Sequence, residues 1–180
     1  MLISVIFTTY NSPLWLEKVL WGFDAQTDHN FEIVIADDGS REDTRQLIER
    51  FARATDRPIQ HIWQEDDGFQ KCRILNKAIV AARGDYLILT DGDCIPRKDF
   101  VSVHRANAEP GSFLSGGYFK LPMSISQSIT RDDVESGRCF SKAWLLGQGM
   151  PRKTNFMKLT VKPWAEHWFN RFTPTKSTWN

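Results

Sequence analysis

The sequence predicts an α/β fold in which a mostly parallel sheet is flanked by helices on both faces. Four apolar, β-rich segments, at 2–8, 31–36, 59–63 and 85–90, alternate with segments whose apolar residues recur at helical spacing. This alternation is typical of βαβα units, whose crossover helices cover a parallel sheet. With 180 residues, the chain has the usual length of one domain.

Three helices are predicted between these strands. The first follows Ser12 and Pro13, an N-cap residue and a proline at the first helical position. The second follows Ser40 as its cap, and the third spans about 69–82 and stops before Gly84. The residues predicted to face inward are Leu16, Val19, Leu20 and Phe23, then Leu47, Ile48 and Phe51, then Ile74, Leu75, Ala78 and Ile79.

The pattern becomes less regular after about residue 110. The segment GSFLSGGYFKLP predicts a glycine-rich strand or hairpin, and 130–147 predicts a helix. From Pro151 the chain is basic and aromatic, and its Trp164, Trp168, Phe169 and Phe172 are spaced as an apolar helical stripe. We interpret this stripe as core left uncovered, with contact to an acceptor or a membrane as the alternative.

Composition excludes several classes of partner. Lys and Arg total 23 against 22 for Asp and Glu, so net charge gives no reason to expect a nucleic-acid partner. The three cysteines form no CxxC pair, which argues against a disulfide framework and a structural zinc site and favours a reducing cytosol. No apolar run approaches about 18 residues, so any contact with a membrane is expected to be peripheral.

Polar clusters follow all four predicted strands. They are TTYN at 8–11, DDGS at 37–40, EDDG at 65–68 and DGD at 91–93. In a parallel sheet the carboxyl ends of the strands line the ligand crevice. The four clusters therefore predict one site at that edge.

Asp91, Gly92 and Asp93 have the chemistry of a cation site. Two carboxylates at a strand end suit a hard divalent ion, Mg²⁺ or Mn²⁺, and the glycine between them lets backbone approach a phosphate. A solvated turn is the alternative, because DGD is also common in turns. The buried strand before it and the other three clusters favour the cation site.

The remaining clusters predict contacts to a nucleotide. Asp37 and Asp38 could accept hydrogen bonds from a base N–H or a ribose hydroxyl, while Ser40 caps the following helix. Thr8 could supply a hydroxyl and Tyr10 a ring for a nucleobase; a hydrogen-bonded strand exit is the alternative.

Arg73 and Asn76 are three residues apart and share one face of the third helix. Arg73 could reach a phosphate or Asp91, and a surface arginine is the alternative. The four histidines, His29, His61, His104 and His167, show no ligand spacing and are interpreted as structural. No GxGxxG or Walker loop occurs, so dinucleotide oxidoreductases and P-loop enzymes have no support.

The motifs SVIFTTYN, FEIVIADDGSREDT and DDGFQKCRILNKAIVAARGDYLILTDGDCIPRKDFV occur in this order over about residues 2 to 118. In this the chain resembles family 2 glycosyltransferases of the GT-A fold, in particular bacterial chondroitin-type polymerases and lipopolysaccharide sugar transferases. The resemblance implies that Asp38 with Asp37 holds uracil and ribose and that Asp93, with Asp91, holds the metal. The nucleotide-sugar-binding residues it implies are Thr8, Tyr10, Asp37, Asp38, Gly68, Arg73, Asn76, Asp91 and Gly92.

The resemblance also implies an activity. It is inverting transfer of a hexosyl group from a UDP-sugar to a saccharide or polysaccharide acceptor, assisted by Mn²⁺ or Mg²⁺ in the cytoplasm. Residues 1–120 would form the nucleotide-sugar-binding core and 121–180 a partial acceptor region. No catalytic base is identified. Asp132 and Asp133 come too early in the sequence to match the catalytic aspartate of the family, and the residues around Glu166 match its motif only faintly. We therefore expect that the chain is truncated and that it binds the sugar donor more readily than it catalyses transfer.

Two alternatives remain open from sequence. A catalytically inactive module that binds a nucleotide sugar has the same donor motifs. A two-component receiver domain also has an acidic pair after one strand and an aspartate at the end of another. The additional strand at 59–63 and the second carboxylate, Asp93, disfavour the receiver domain.

Overall fold

The computed structural model describes residues 1–154 and 156, and the predicted aromatic stripe and Glu166 lie outside them. Four strands, β1 (Ile3–Thr9), β2 (Phe31–Asp37), β3 (Ile59–Trp63) and β4 (Tyr86–Asp91), form a parallel sheet in the order β3-β2-β1-β4. The helices are α1 (Pro13–Asp24), α2 (Glu42–Ala54), α3 (Lys71–Ala81), α4 (Phe100–Asn107), α5 (Met123–Ser128), α6 (Arg131–Glu135) and α7 (Lys142–Gly147). The predicted α/β fold is confirmed.

Helices cover both faces of the sheet because alternate strand residues are apolar on both sides. One core joins β1 and β2 to α1, α2 and α4, and its largest fully buried rings are Phe7, Phe23 and Phe31. The other core packs Ile6 and Val34 against Ile74 of α3. The predicted inward residues of α1 are all fully buried.

The strand register brings the polar clusters to one edge. Thr9 of β1 is paired with Asp37 of β2, and Asp37 is paired with Trp63 of β3. On the other side of β1, Thr8 is paired with Asp91 of β4. All four strands thus end at the same level, as the sequence predicts for a single site.

The two predicted serine caps have different outcomes. Ser12 occupies the N-cap position of α1, with Pro13 first in the helix, but its Oγ donates to the Tyr10 carbonyl at 2.9 Å and makes no capping hydrogen bond. The prediction for Ser40 is wrong. Ser40 Oγ accepts the Asn11 N–H at 2.9 Å, and α2 begins one residue later, after Arg41. The Ser12 hydroxyl thus stabilises the turn after β1, where Asn11 has a φ of 46°, and the Ser40 hydroxyl ties that turn to the segment after β2.

The downstream elements also differ from the prediction. Residues 108–122 contain neither strand nor helix, consistent with the weak strand preference of a segment rich in glycine. The helix predicted over 130–147 is divided into α6, a 3₁₀ turn at Arg138–Phe140, and α7. Gly137 interrupts it with a φ of 76°, which lies outside the helical region.

The chain divides into two compact units. The first comprises 1–115 and 129–139 and contains the whole sheet. In the second, Ile125, Leu145, Met150 and Phe156 form a small apolar cluster of their own. Within the described part of the chain, no helix is both long and apolar enough to cross a bilayer.

Candidate functional site

A cleft of about 350 Å³ opens at the carboxyl edge of the sheet, within the first unit. The ends of β1 and β4 form its base, and the first turns of α1 and α3 form its sides. It is lined by Thr8, Thr9, Tyr10, Ser12, Trp15, Lys71, Asp91, Gly92 and Asp93. The cleft is therefore acidic at β4, cationic at α3 and aromatic beside β1.

The acidic part consists of Asp91 and Asp93, both exposed. Lys71 Nζ lies 2.8 Å from Asp91 Oδ1 and neutralises part of this charge. One ligand atom from each of Asp91, Asp93 and Cys94 falls within 4.8 Å of the others. Burial, with the nearby carboxylates, raises the pKa of the Cys94 thiol to about 11.

Gly92 lets β4 approach β1 closely. Its N–H donates to the Thr8 carbonyl at 3.1 Å, and a Cβ at this position would lie 2.4 Å from that carbonyl oxygen. The glycine between the two carboxylates is thus required for packing of the strand ends. The predicted approach of a phosphate to its backbone stays a prediction.

Asp37 is fully buried and held by protein groups on both carboxylate oxygens. Its Oδ1 accepts the Ser40 N–H at 2.8 Å. Its Oδ2 lies 2.9 Å from His61 Nε2. His61, on β3, for which the sequence predicts a structural role, supports Asp37 through this contact.

Asp38 is 5% exposed and also has both oxygens occupied. The Gln64 side-chain amide donates to Oδ1 at 2.6 Å, and the Gln70 backbone N–H donates to Oδ2 at 2.9 Å. The contacts to a base or ribose predicted for Asp37 and Asp38 stay predictions. In this arrangement both side chains connect the end of β2 to the chain around it.

Tyr10 stands at the rim of the cleft with half of its surface exposed. Its hydroxyl donates to Asp66 Oδ2 at 2.9 Å. This hydrogen bond and the charge of Asp66 raise the pKa of Tyr10 above its ordinary value of 10.0. The phenol therefore stays protonated near neutral pH and presents its ring to the cleft.

The structure brings together five of the ten predicted residues in the cleft: Thr8, Tyr10, Asp91, Gly92 and Asp93. Gly68, Arg73 and Asn76 are exposed and do not line it, so their predicted roles have no support from this geometry. Sequence reasoning missed Ser12, Trp15 and Lys71 as lining residues and included Thr9 only within the TTYN cluster. The sequence could have identified Lys71, because the first residue of a helix that follows a strand lies at the ligand edge of the sheet.

The acidic residues after β4 that were considered as bases have other roles. Asp133 accepts the Thr130 N–H in a capping box, and its Oδ1 pairs with Arg138 at 2.6 Å. Asp132 pairs with Arg138 as well, also at 2.6 Å. In the described residues, the only carboxylates that line the cleft are Asp91 and Asp93.

Comparison with known proteins gives one family. The model of "Glycosyl transferase family 2" matches residues 4–119. Chondroitin synthase of Pasteurella multocida is 30% identical over 100 residues, which are 55% of this chain and 10% of that protein. Hyaluronan synthase of the same species is 34% identical over 105 residues, or 58% of this chain and 11% of that protein. The chain thus spans about a tenth of these relatives.

Two solved structures resemble the chain. Staphylococcus aureus TarS 1-349, in complex with UDP-GlcNAc, has a TM-score of 0.54 and 26% identity, over 59% of this chain and 30% of that one. The mannosyltransferase PcManGT from Pyrobaculum calidifontis, in complex with GDP-Man and Mn²⁺, has a TM-score of 0.55 and 26% identity. That match covers 60% of this chain and 32% of the other.

Proposed function

Because the chain belongs to glycosyl transferase family 2 and has the GT-A fold, we propose that its cleft binds a sugar nucleotide and transfers the sugar with inversion to a saccharide acceptor. The observation that carries this proposal is the cleft itself. It joins Asp91 and Asp93 to the cation Lys71 and the ring of Tyr10. The family excludes the receiver-domain alternative.

The nucleoside is assigned to the β1 side of the cleft. Tyr10 offers an exposed ring against which a base can stack, and Thr8 offers a hydroxyl beside it. Uracil is proposed as the base, as in the TarS complex with UDP-GlcNAc, and guanine, as in the PcManGT complex with GDP-Man, is the alternative. The hexosyl group and its acceptor are inferred from the family alone.

The donor set at β4 fits a divalent cation. Carboxylate oxygens are the ligands that Mg²⁺ and Mn²⁺ prefer, and Asp91 and Asp93 present theirs at the open end of the cleft. The neighbouring Cys94 is a softer ligand, and we assign the ion to the two carboxylates. When bound there, the ion would neutralise the diphosphate of the leaving group.

Lys71 has a matching role on the opposite side. Its ammonium group pairs with Asp91 at 2.8 Å and is 41% exposed, so it can move onto a phosphate oxygen. A cation fixed near the developing charge stabilises it more than solvent does. The acceptor hydroxyl must approach the anomeric carbon from the face opposite this leaving group, where a base has to take its proton.

The metal and nucleotide sites are tested by calorimetric titration with UDP and Mn²⁺. We expect chelation of the metal or Asp93→Ala to weaken UDP binding at least tenfold, which corresponds to about 1.4 kcal/mol. Asp56→Ala, a substitution of an exposed aspartate just after α2, is the matched control and should bind UDP like the wild type. If neither the chelator nor Asp93→Ala changed the affinity for UDP, the proposed metal site would be contradicted.

Turnover is tested separately from binding. Because Asp91 and Asp93 are the cleft carboxylates among the described residues, we expect binding of UDP-sugars with slow hydrolysis and weak transfer by this 180-residue chain. The assay is release of UDP in the presence of Mn²⁺ with and without saccharide acceptors. Rapid transfer to any acceptor would show that a base is present, and would exclude the alternative of a purely binding module.

A further inference from the structure

We propose that Gln64 is a positioning residue that closes the base of the loop 65–69 through Asp38 and thereby places Tyr10 and Lys71 on the two sides of the cleft. The inference rests on the proposed function, because that function assigns Tyr10 to the nucleoside and Lys71 to the diphosphate. It goes further by giving a role to a buried residue that does not line the cleft.

Both ends of the loop meet at one carboxylate. Gln64, before the loop, donates from Nε2 to Asp38 Oδ1 at 2.6 Å, and Gln70, after it, donates from its backbone N–H to Asp38 Oδ2 at 2.9 Å. The Gln64 amide also lies 3.4 Å from the Gln70 carbonyl oxygen. Gln64 and Asp38 are 6% and 5% exposed, so these bonds are largely shielded from water.

The carbonyl oxygen of Gln64 shows what this arrangement costs. Gln64 Oε1 is buried and finds no hydrogen-bond partner among the described residues, which is unfavourable for a buried acceptor. Rotating the amide would give no relief, because it would place Oε1 against the Asp38 carboxylate. The side chain is therefore held in the orientation that donates to Asp38 and faces the Gln70 carbonyl, at the expense of its own acceptor.

The loop itself has little packing to hold it. Residues 65–69 are all exposed, and the Phe69 side chain is 87% exposed. Its backbone passes close to Gly39, where a Cβ would lie 2.6 Å from Asp66 Cα. With so little buried apolar area, the position of the loop depends on the hydrogen bonds at its base.

Each end of the loop leads to one side of the cleft. Asp66 accepts the Tyr10 hydroxyl at 2.9 Å through Oδ2 and the Gly68 N–H at 3.2 Å through Oδ1. Gln70 directly precedes α3, whose first residue is Lys71. A shift of the loop base therefore moves the partner of Tyr10 and the helix end that carries Lys71 together.

The test replaces Gln64 by methionine, which keeps the volume but removes both donors. Gln46→Met, on the exposed face of α2, is the matched control. We expect hydrogen exchange of the amides at 65–71 to become faster and UDP affinity to fall about tenfold, with the control unchanged. Wild-type exchange in this loop together with wild-type affinity would overturn the proposal.

A double-mutant cycle separates positioning from general destabilisation. In a protein that already carries Tyr10→Phe and Lys71→Met, Gln64→Met should weaken UDP binding by less than about twofold, because the hydroxyl that ties Tyr10 to the loop and the ammonium group of Lys71 are both gone. An equal loss in both backgrounds would show that Gln64 acts on overall stability, and would overturn the proposal.

An exposed substitution keeps the test independent of folding. Asp66→Ala leaves the core intact and removes the acceptor of the Tyr10 hydroxyl, so UDP should weaken about threefold. Unchanged affinity would overturn the link from the loop to Tyr10. If the wild type bound no UDP, the proposed function would fail, whereas loop exchange in Gln64→Met would still decide whether Gln64 closes the loop.

Discussion

Replacing Gly92 by alanine tests whether close packing of β4 on β1 holds the acidic part of the cleft in place. The added Cβ would lie 2.4 Å from the Thr8 carbonyl oxygen and 3.4 Å from the Thr8 carbonyl carbon. The oxygen belongs to the backbone of a buried strand, so it cannot turn away as a side chain could. The strand ends must move apart by roughly an ångström to restore an ordinary contact distance.

The magnitude follows from two losses. Separating the strands breaks the 3.1 Å hydrogen bond from the Gly92 N–H to the Thr8 carbonyl, which contributes about 1 kcal/mol. Overpacking of a tight contact costs a further 1–3 kcal/mol, so the free energy of unfolding should fall by about 3 kcal/mol. In a chain of this size that lowers Tm by about 6–12 °C.

The assay is thermal unfolding, followed by titration with UDP and Mn²⁺ below the lowered Tm. Gly116→Ala is the control, because a Cβ there meets nothing within 4 Å. UDP should bind more weakly to Gly92→Ala, since Asp91 and Asp93 move away from Thr8. A Tm within about 2 °C of the wild type would refute the packing argument.

Three more outcomes are expected. Burial raises the pKa of Glu32, but hydrogen bonds from Ser4, Arg83 and Gln60 outweigh it and lower that pKa below 4.5. In urea titrations, Glu32→Gln should therefore lower the free energy of unfolding by its full amount above pH 4.5. The difference from the wild type should disappear as pH falls through the folded-state pKa. Lys71→Met should weaken UDP up to about fivefold and uridine hardly at all, most clearly at low salt; equal losses for both ligands would contradict its assignment. Cys94→Ser should leave Mn²⁺-dependent UDP binding within about twofold in calorimetry, since Mn²⁺ prefers oxygen ligands.

The sequence by itself determined the strands, the order of the motifs and the edge at which they meet. Period and composition are local properties, and a parallel sheet brings every strand's carboxyl end to one side whatever the side chains do. For this reason the sequence alone predicts that Thr8, Tyr10, Asp91 and Asp93 lie in one cleft. Family membership followed from the same motifs.

Only the tertiary structure decided which polar groups face the cleft and which hold it together. The sequence predicts that Asp37 and Asp38 contact the nucleotide, but in the structure both carboxylate oxygens of each residue contact protein groups. Arg73 and Lys71 are two residues apart on α3, a rotation of about 200° that places them on opposite sides of the helix. A local pattern cannot settle that choice.

The same reason explains Gly92 and the segment after residue 110. The need for glycine between two carboxylates arises from a carbonyl on another strand, more than 80 positions away in sequence. The division of 130–147 into short helices depends on a positive φ at Gly137, which periodicity does not reveal. Sequence pattern specifies the elements, and contacts between distant segments specify the chemistry at their ends.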